Sequence, residues 1–153
     1  MKFLDPWAHA NLKLSDHLCF AFYSANLSFG KACKPRLDAL GVTYTQYITI
    51  VALWEDDNQT VGELGERLFL ESNTLTPMLK KLEAMGYVKR QRGNEDERQM
   101  RILLTKSGRC WCETALKTKL SEVARMAPGR VDKVQKAIVA LRNDIIRLVK
   151  HGQ

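Results

Sequence analysis

The 153-residue chain has the length of one ordinary domain, with 24 Lys and Arg against 17 Asp and Glu for a formal charge of +7; 45% of its residues are hydrophobic and 27% charged. These proportions exclude a disordered or fibrous chain and leave a globular one long enough to bury a real core. The longest clean apolar run, residues 48–54, is far too short to cross a bilayer, and the first ten residues carry charge and a proline where a secretory leader needs apolar sequence. A cytoplasmic protein without membrane contact is expected.

From Leu14 onward apolar residues recur at Leu14, Leu18, Ala21, Ala25, Phe29 and Ala32, the period of a helix, while Cys19, Phe20, Tyr23 and Leu27 make its other faces greasy as well. A helix apolar on several sides in so small a chain points to a partner subunit. Pro35 should kink it and Gly41 can end it in a left-handed cap. The stretch TYTQ, residues 43–46, is a capping box that opens a helix to about Asp56, and TVGE, residues 60–63, repeats the device for a short helix to about Leu68. Ser72 or Asn73 then starts a third, with Leu75, Leu79, Leu82 and Met85 on one stripe, Pro77 in about the first turn and Gly86 just past the end.

Two short helices joined by a tight turn, the second polar and basic outside, have the geometry of a helix-turn-helix. The strand-like runs 87–92 and 99–104 flank a polar loop and read as a wing. Between Asn73 and Arg109 stand nine Lys and Arg and four acids, so most of the chain's positive excess lies in this quarter. Such an excess suits a surface that meets nucleic acid. A helix from about Thr105 to Met126 should follow, broken at residues 128–129. The last helix carries Val131, Val134, Ile138, Leu141, Ile145 and Leu148 at alternating spacings of three and four, a seam for packing helix on helix. The expected fold is mainly α with a small β-wing.

Cysteines 19, 33, 110 and 112 lack the spacing of a disulfide framework, and three scattered histidines, His9, His17 and His151, suggest no metal site. If Ser15 caps the first helix, Cys19 falls in its first turn, where unpaired amides favour an anion. Its apolar neighbours equally suit a small buried hydrophobe. The residues alone leave both readings open. Cys110 and Cys112 lie about 200° apart round a helix and cannot bridge each other.

The stretches LCFAFY (18–23), KPRLDALGVTYTQY (34–47), LWE (53–55), LESNTLTPMLKKLEAMGYVKRQR (70–92) and DERQMRILLT (96–105) resemble the MarR family of winged-helix repressors, and within it the organic-hydroperoxide-sensing OhrR type. The likeness is close from Leu14 to Thr105 and only architectural beyond. It implies one MarR-like domain over 1–153 that forms a homodimer, with dimerisation helices at 14–40 and 106–150 and a winged helix-turn-helix lobe at 44–105. The recognition helices would meet successive major grooves of an inverted-repeat operator in double-stranded DNA. Ser72, Asn73, Thr74, Thr76, Lys80 and Lys81 would face bases and phosphates. Arg98 matches the wing-tip arginine that enters the minor groove, with Asp96 shaping the wing, and Arg90, Arg92 and Arg101 would contact phosphate or stay solvated.

By the same resemblance Cys19 matches the peroxide-sensing cysteine, and Tyr44 matches one of two tyrosines that reach it from the opposite subunit. The other tyrosine position holds Cys33 here. Cys33 of the partner could then resolve oxidised Cys19; alternatively Cys33 fills space and a low-molecular-weight thiol does so. The implied activity is a repressor, not an enzyme, needing no cofactor, with an organic hydroperoxide as oxidant and a thiol-dependent peroxidase as the neighbouring target gene. Rival readings are a MarR repressor relieved by a reversibly bound aromatic ligand, a thiol-dependent peroxidase, and a purely structural helical dimer.

Overall fold

The computed structural model describes residues 13–93, 99–118, 120 and 127–151. It divides into two compact units, one through Leu120 and one from Ser121. The first unit holds α1 (Leu18–Leu40), α2 (Tyr44–Glu55), β1 (Gln59–Thr60), α3 (Val61–Leu68), α4 (Ser72–Ala84), β2 (Val88–Arg92), β3 (Met100–Leu104) and α5 (Lys106–Leu116); the second holds α6 (Pro128–His151). Mainly helical with one small sheet, this is the expected fold class. Among the described residues no helix is long and apolar enough to cross a membrane.

Local chemistry sets the helix ends. Both capping boxes form: the Thr43 side chain accepts from the Gln46 amide while Gln46 reaches back to Thr43, and Thr60 and Glu63 do the same at α3. The bond from the Thr60 amide holds the Glu63 carboxyl below its ordinary range. Gly41, at φ +70°, closes α1: its N–H donates to the Asp38 carbonyl and that of Val42 to Leu37. Gly86, at φ +79°, closes α4 with the matching pair, Gly86 to Glu83 and Tyr87 to Leu82. Only a residue tolerant of the left-handed region fits these turns. Phe69 enters that region without being glycine, at φ 56°, in the turn between α3 and α4.

Several boundaries depart from expectation. Leu14–Asp16 forms a separate 3-10 turn, so α1 begins at Leu18 with His17 as its cap residue. Ser15 is no cap, because its hydroxyl turns to the Asp16 carboxylate. Met85 is exposed and Met78 takes its place among the buried residues of α4, with Leu75, Leu79 and Leu82. Pro77 is the sixth residue of α4, one turn later than expected, and the helix runs through it. α5 stops at Leu116, where the amides of Lys117 and Thr118 bond three residues back and the Thr118 hydroxyl joins the Ala115 carbonyl. The remainder of the long helix expected there, residues 119 and 121–126, lies outside the described residues.

The sheet has the antiparallel order β1-β3-β2. β2 and β3 make the expected wing, in the register Val88↔Leu104 to Arg92↔Met100. β1, only two residues long, adds an unforeseen third strand through Gln59↔Ile102. Behind the sheet Ile50, Leu53, Leu64, Leu75, Leu79, Leu82 and Ile102 are sealed from solvent.

Candidate nucleic-acid interface and thiol site

Burying Leu75, Met78, Leu79 and Leu82 turns the opposite side of α4 outward, and Ser72, Asn73, Thr74, Thr76, Lys80 and Lys81 are all exposed on it. Asn73, Thr76 and Lys80 recur at three and four residues, so they form one polar stripe. Hydroxyls, an amide and two ammonium groups on one helix face can bond phosphate oxygens and base edges.

The arginines divide. Arg92 is exposed at the end of β2. Arg90 instead serves the fold: its Nε donates to Glu83 at 2.6 Å and its backbone N–H to the same carboxylate at 3.1 Å, tying β2 to α4. That pairing holds the Glu83 carboxyl below its ordinary range. Arg101 donates to the Asn58 carbonyl at 2.7 Å. Both guanidiniums thus have a partner within the chain. Sequence reasoning does not single out Lys89, which is exposed on β2. Arg98 and Asp96 lie outside the described residues.

The wing is anchored at its root by Asp57. One carboxylate oxygen accepts from the Leu104 amide at 2.9 Å and the other from Arg109 at 2.5 Å, so a single side chain joins the α2–β1 loop, β3 and α5. Gln59 donates its side-chain amide to the carbonyls of Ala52 and Asp56, and Arg67 pairs with Glu55. These bonds fix the angle of the wing against α2.

Cys19 is the second residue of α1 and is exposed, within the first turn as expected though without the Ser15 cap. Around it Leu14, Leu18, Tyr23 and Leu27 are exposed too, and the Phe20 and Tyr23 rings lie 6.3 Å apart. So much apolar surface on several sides of the first turns of α1 exceeds the isolated hydrophobes of an ordinary exterior. Cys33 has zero exposure. Burial pushes its thiol up, opposed by Arg36. Tyr44 opens α2, half-exposed, and its phenol is raised by burial and by Cys33. The charge of Cys33 is thus felt at Tyr44 within one chain. Cys19 is about 21 Å from Cys33 along α1.

Cys110 is exposed and Cys112 buried, as their positions round α5 require. The Cys112 sulfur approaches the Ile50 carbonyl at 4.0 Å, and burial pushes its thiol up to about 11. Among the described residues no group of three or more His, Cys, Asp or Glu is placed to hold a metal ion. His17 stands at the N-cap position of α1 without a side-chain capping bond, while His9 and the His151 side chain lie outside the description.

Known proteins place this architecture. Residues 31–114 match the family described as transcriptional regulator SarA/Rot, a span that takes in Cys33, Tyr44, α2 to α4, the wing and most of α5. The chain is 44% identical over 106 residues, 69% of its length and 72% of the relative's, to the organic hydroperoxide resistance transcriptional regulator of Bacillus subtilis (strain 168). It is 50% identical over 96 residues to the HTH-type transcriptional regulator TtmR of Methylorubrum extorquens (strain PA1), of which it spans about half, 49%. Reduced AbfR bound to DNA, from Staphylococcus epidermidis, superposes with a TM-score of 0.77 at 34% identity, covering 89% of this chain and 94% of that one. AbfR is also known overoxidized on DNA and in a disulfide-formed state. With its outward polar recognition helix and three-stranded wing, the chain belongs to the SarA/Rot family of transcriptional regulators, which are MarR-like winged-helix proteins.

Proposed function

We propose that the protein is a homodimeric repressor that holds an inverted-repeat operator while Cys19 is reduced and releases it when an organic hydroperoxide oxidises Cys19. The observation that carries this reading is the place of Cys19: it is exposed in the first turn of α1 beside exposed Leu18 and Tyr23, whereas Cys33 and Cys112 are sealed and Cys110, also exposed, lies inside α5. The family and the hydroperoxide-resistance relative support it.

In the sensing step the Cys19 thiolate attacks one peroxide oxygen. An S–O bond forms as the O–O bond breaks, the alcohol leaves with a proton, and the cysteine becomes a sulfenic acid. The apolar side chains beside it favour a lipid-like peroxide over hydrogen peroxide. A low-molecular-weight thiol then displaces water to form a mixed disulfide. The burial of Cys33 in its own chain favours this route over resolution by the partner's Cys33. AbfR occurs both overoxidized on DNA and disulfide-formed, which makes a bulky disulfide, rather than added oxygen, the releasing modification in this reading. In the dimer Tyr44 contacts the partner's Cys19, and modification of that sulfur tilts the winged heads. A coupling of about 1–3 kcal/mol suffices for a 5- to 150-fold change in affinity.

The test is a gel-shift titration on the duplex upstream of the chain's own coding region, with and without cumene hydroperoxide and a small thiol. Native protein should release the duplex, and Cys19→Ser should stay bound under the same oxidant. Release of Cys19→Ser would overturn the proposal, as would continued turnover of peroxide without loss of DNA.

A further inference from the structure

Four aromatic rings, two from α2, one from α5 and one from the turn after α4, form one chain through the first unit. Tyr44 stacks on Tyr47 with centroids 6.4 Å apart, Tyr47 meets Trp111 edge-on at 6.1 Å, and Trp111 meets Tyr87 at 5.7 Å. Trp111 is buried at the centre and its indole N–H donates to the Leu40 carbonyl at the end of α1, 3.1 Å away. At the far end Tyr87 is fixed to the recognition helix. Its amide donates to the Leu82 carbonyl of α4 at 3.0 Å, and its own carbonyl accepts from the Thr105 amide and hydroxyl. Gly108 lies so close beneath that carbonyl that a Cβ there would stand 2.1 Å from its oxygen.

The end rings thus have different attachments: Tyr44 begins α2, and Tyr87 follows the turn that closes α4. Aromatic pairs are directional and packed interiors compress little, so displacement of one ring is passed on rather than absorbed. We propose that Trp111 is a positioning residue that transmits displacement of Tyr44 to the closing turn of α4, and so to the angle of the recognition helix. The relay rests on the reading of Tyr44 as part of the thiol sensor. A competing route runs directly from α2 to α4, where the Thr49 hydroxyl lies 3.9 Å from the Met78 sulfur.

The experiment is a double-mutant cycle on the reduced, full-length protein, read without DNA or oxidant from amide NMR spectra. Tyr44→Ala should move the Tyr87 amide resonance in the native background and leave it in place in the Trp111→Leu background. Equal movement in both backgrounds assigns the coupling to the direct route and overturns the relay, as does movement in neither. Should Trp111→Leu fail to fold, hydrogen exchange decides: Tyr44→Ala must speed exchange of the Tyr87 amide at least about threefold, and an unchanged rate overturns the proposal. In the functional arm, Trp111→Phe and Trp111→Leu should bind the upstream duplex within about twofold of native and oxidise at Cys19 equally by mass, yet lose most of the release. Release at the native level by both would also overturn the relay. A native protein that keeps its DNA under hydroperoxide and a small thiol faults the sensing reading instead, leaving the spectra to judge Trp111.

Discussion

Burial sorts the four thiols into two classes. Iodoacetamide followed by mass mapping should find Cys110 and Cys19 modified in the native protein and Cys33 and Cys112 only after guanidinium unfolding. Rapid native labelling of Cys112 would contradict its packing beside Ile50. The same burial sets a pH dependence. Cys112 is raised from about 9.0 to about 11, so the folded state favours its neutral thiol. The resulting stability is complete below pH 9 and is lost as the pH climbs through about 11, a contribution of about 3 kcal/mol at 1.4 kcal/mol per unit. Tyr44, Tyr47 and Cys33 shift in the same direction. Thermal melts from pH 8 to 11 should therefore fall steeply for the native chain and less steeply for Cys112→Ala. At this scale the sequence placed Cys19 in a helical first turn and Cys110 and Cys112 on opposite sides. It left Cys33 open between a resolving thiol and a space-filling residue, because its sealing depends on α2 packing against α1.

Helix ends and close approaches govern the elements. Replacing Thr60 with Ala removes one half of a reciprocal cap and should lower stability by about 1 kcal/mol in a urea titration. Gly108→Ala is more severe, since its methyl would meet the Tyr87 carbonyl and the Leu104 side chain at once. A loss of about 3 kcal/mol or more is expected, and a melt close to native would show that α5 and β2 can part freely. Both capping boxes and both glycine turns were legible because each is written within a few consecutive residues. The Asp57 junction and β1 were not, because their partners lie 41 to 52 positions away and two residues carry no strand periodicity. Met78 displaced Met85 for a related reason: both fit the apolar stripe of α4, and only the neighbouring α2 decides which is covered.

The molecule as a whole leaves two apolar faces open, one along the first half of α1 and one along α6. Ile138, Ile145 and Leu148 are exposed on α6, as are Leu18, Tyr23 and Leu27 on α1. In the proposed dimer both face the partner, with Cys19 still reachable at the edge of the seam. Ile138→Glu combined with Leu148→Glu should shift the sedimentation profile to monomer and abolish binding to the upstream duplex; a dimer that survives both changes would place the interface elsewhere. Affinity should fall linearly on a log–log salt plot, and Lys80→Ala or Lys81→Ala should each flatten the slope by about one unit, as expected when one phosphate fewer is neutralised. These faces were readable as stripes of apolar residues, whereas their coverings belong to chemistry outside one chain.

The division among the sulfurs also bears on endurance. A reagent arriving from solution meets residues 19 and 110 long before it can reach the sealed pair, so repeated cycles of attack and repair leave the interior chemically new. In the proposed sensing cycle, ageing is then decided at the surface, by how often a sulfenic acid is carried on to the sulfinic and sulfonic stages before a thiol rescues it.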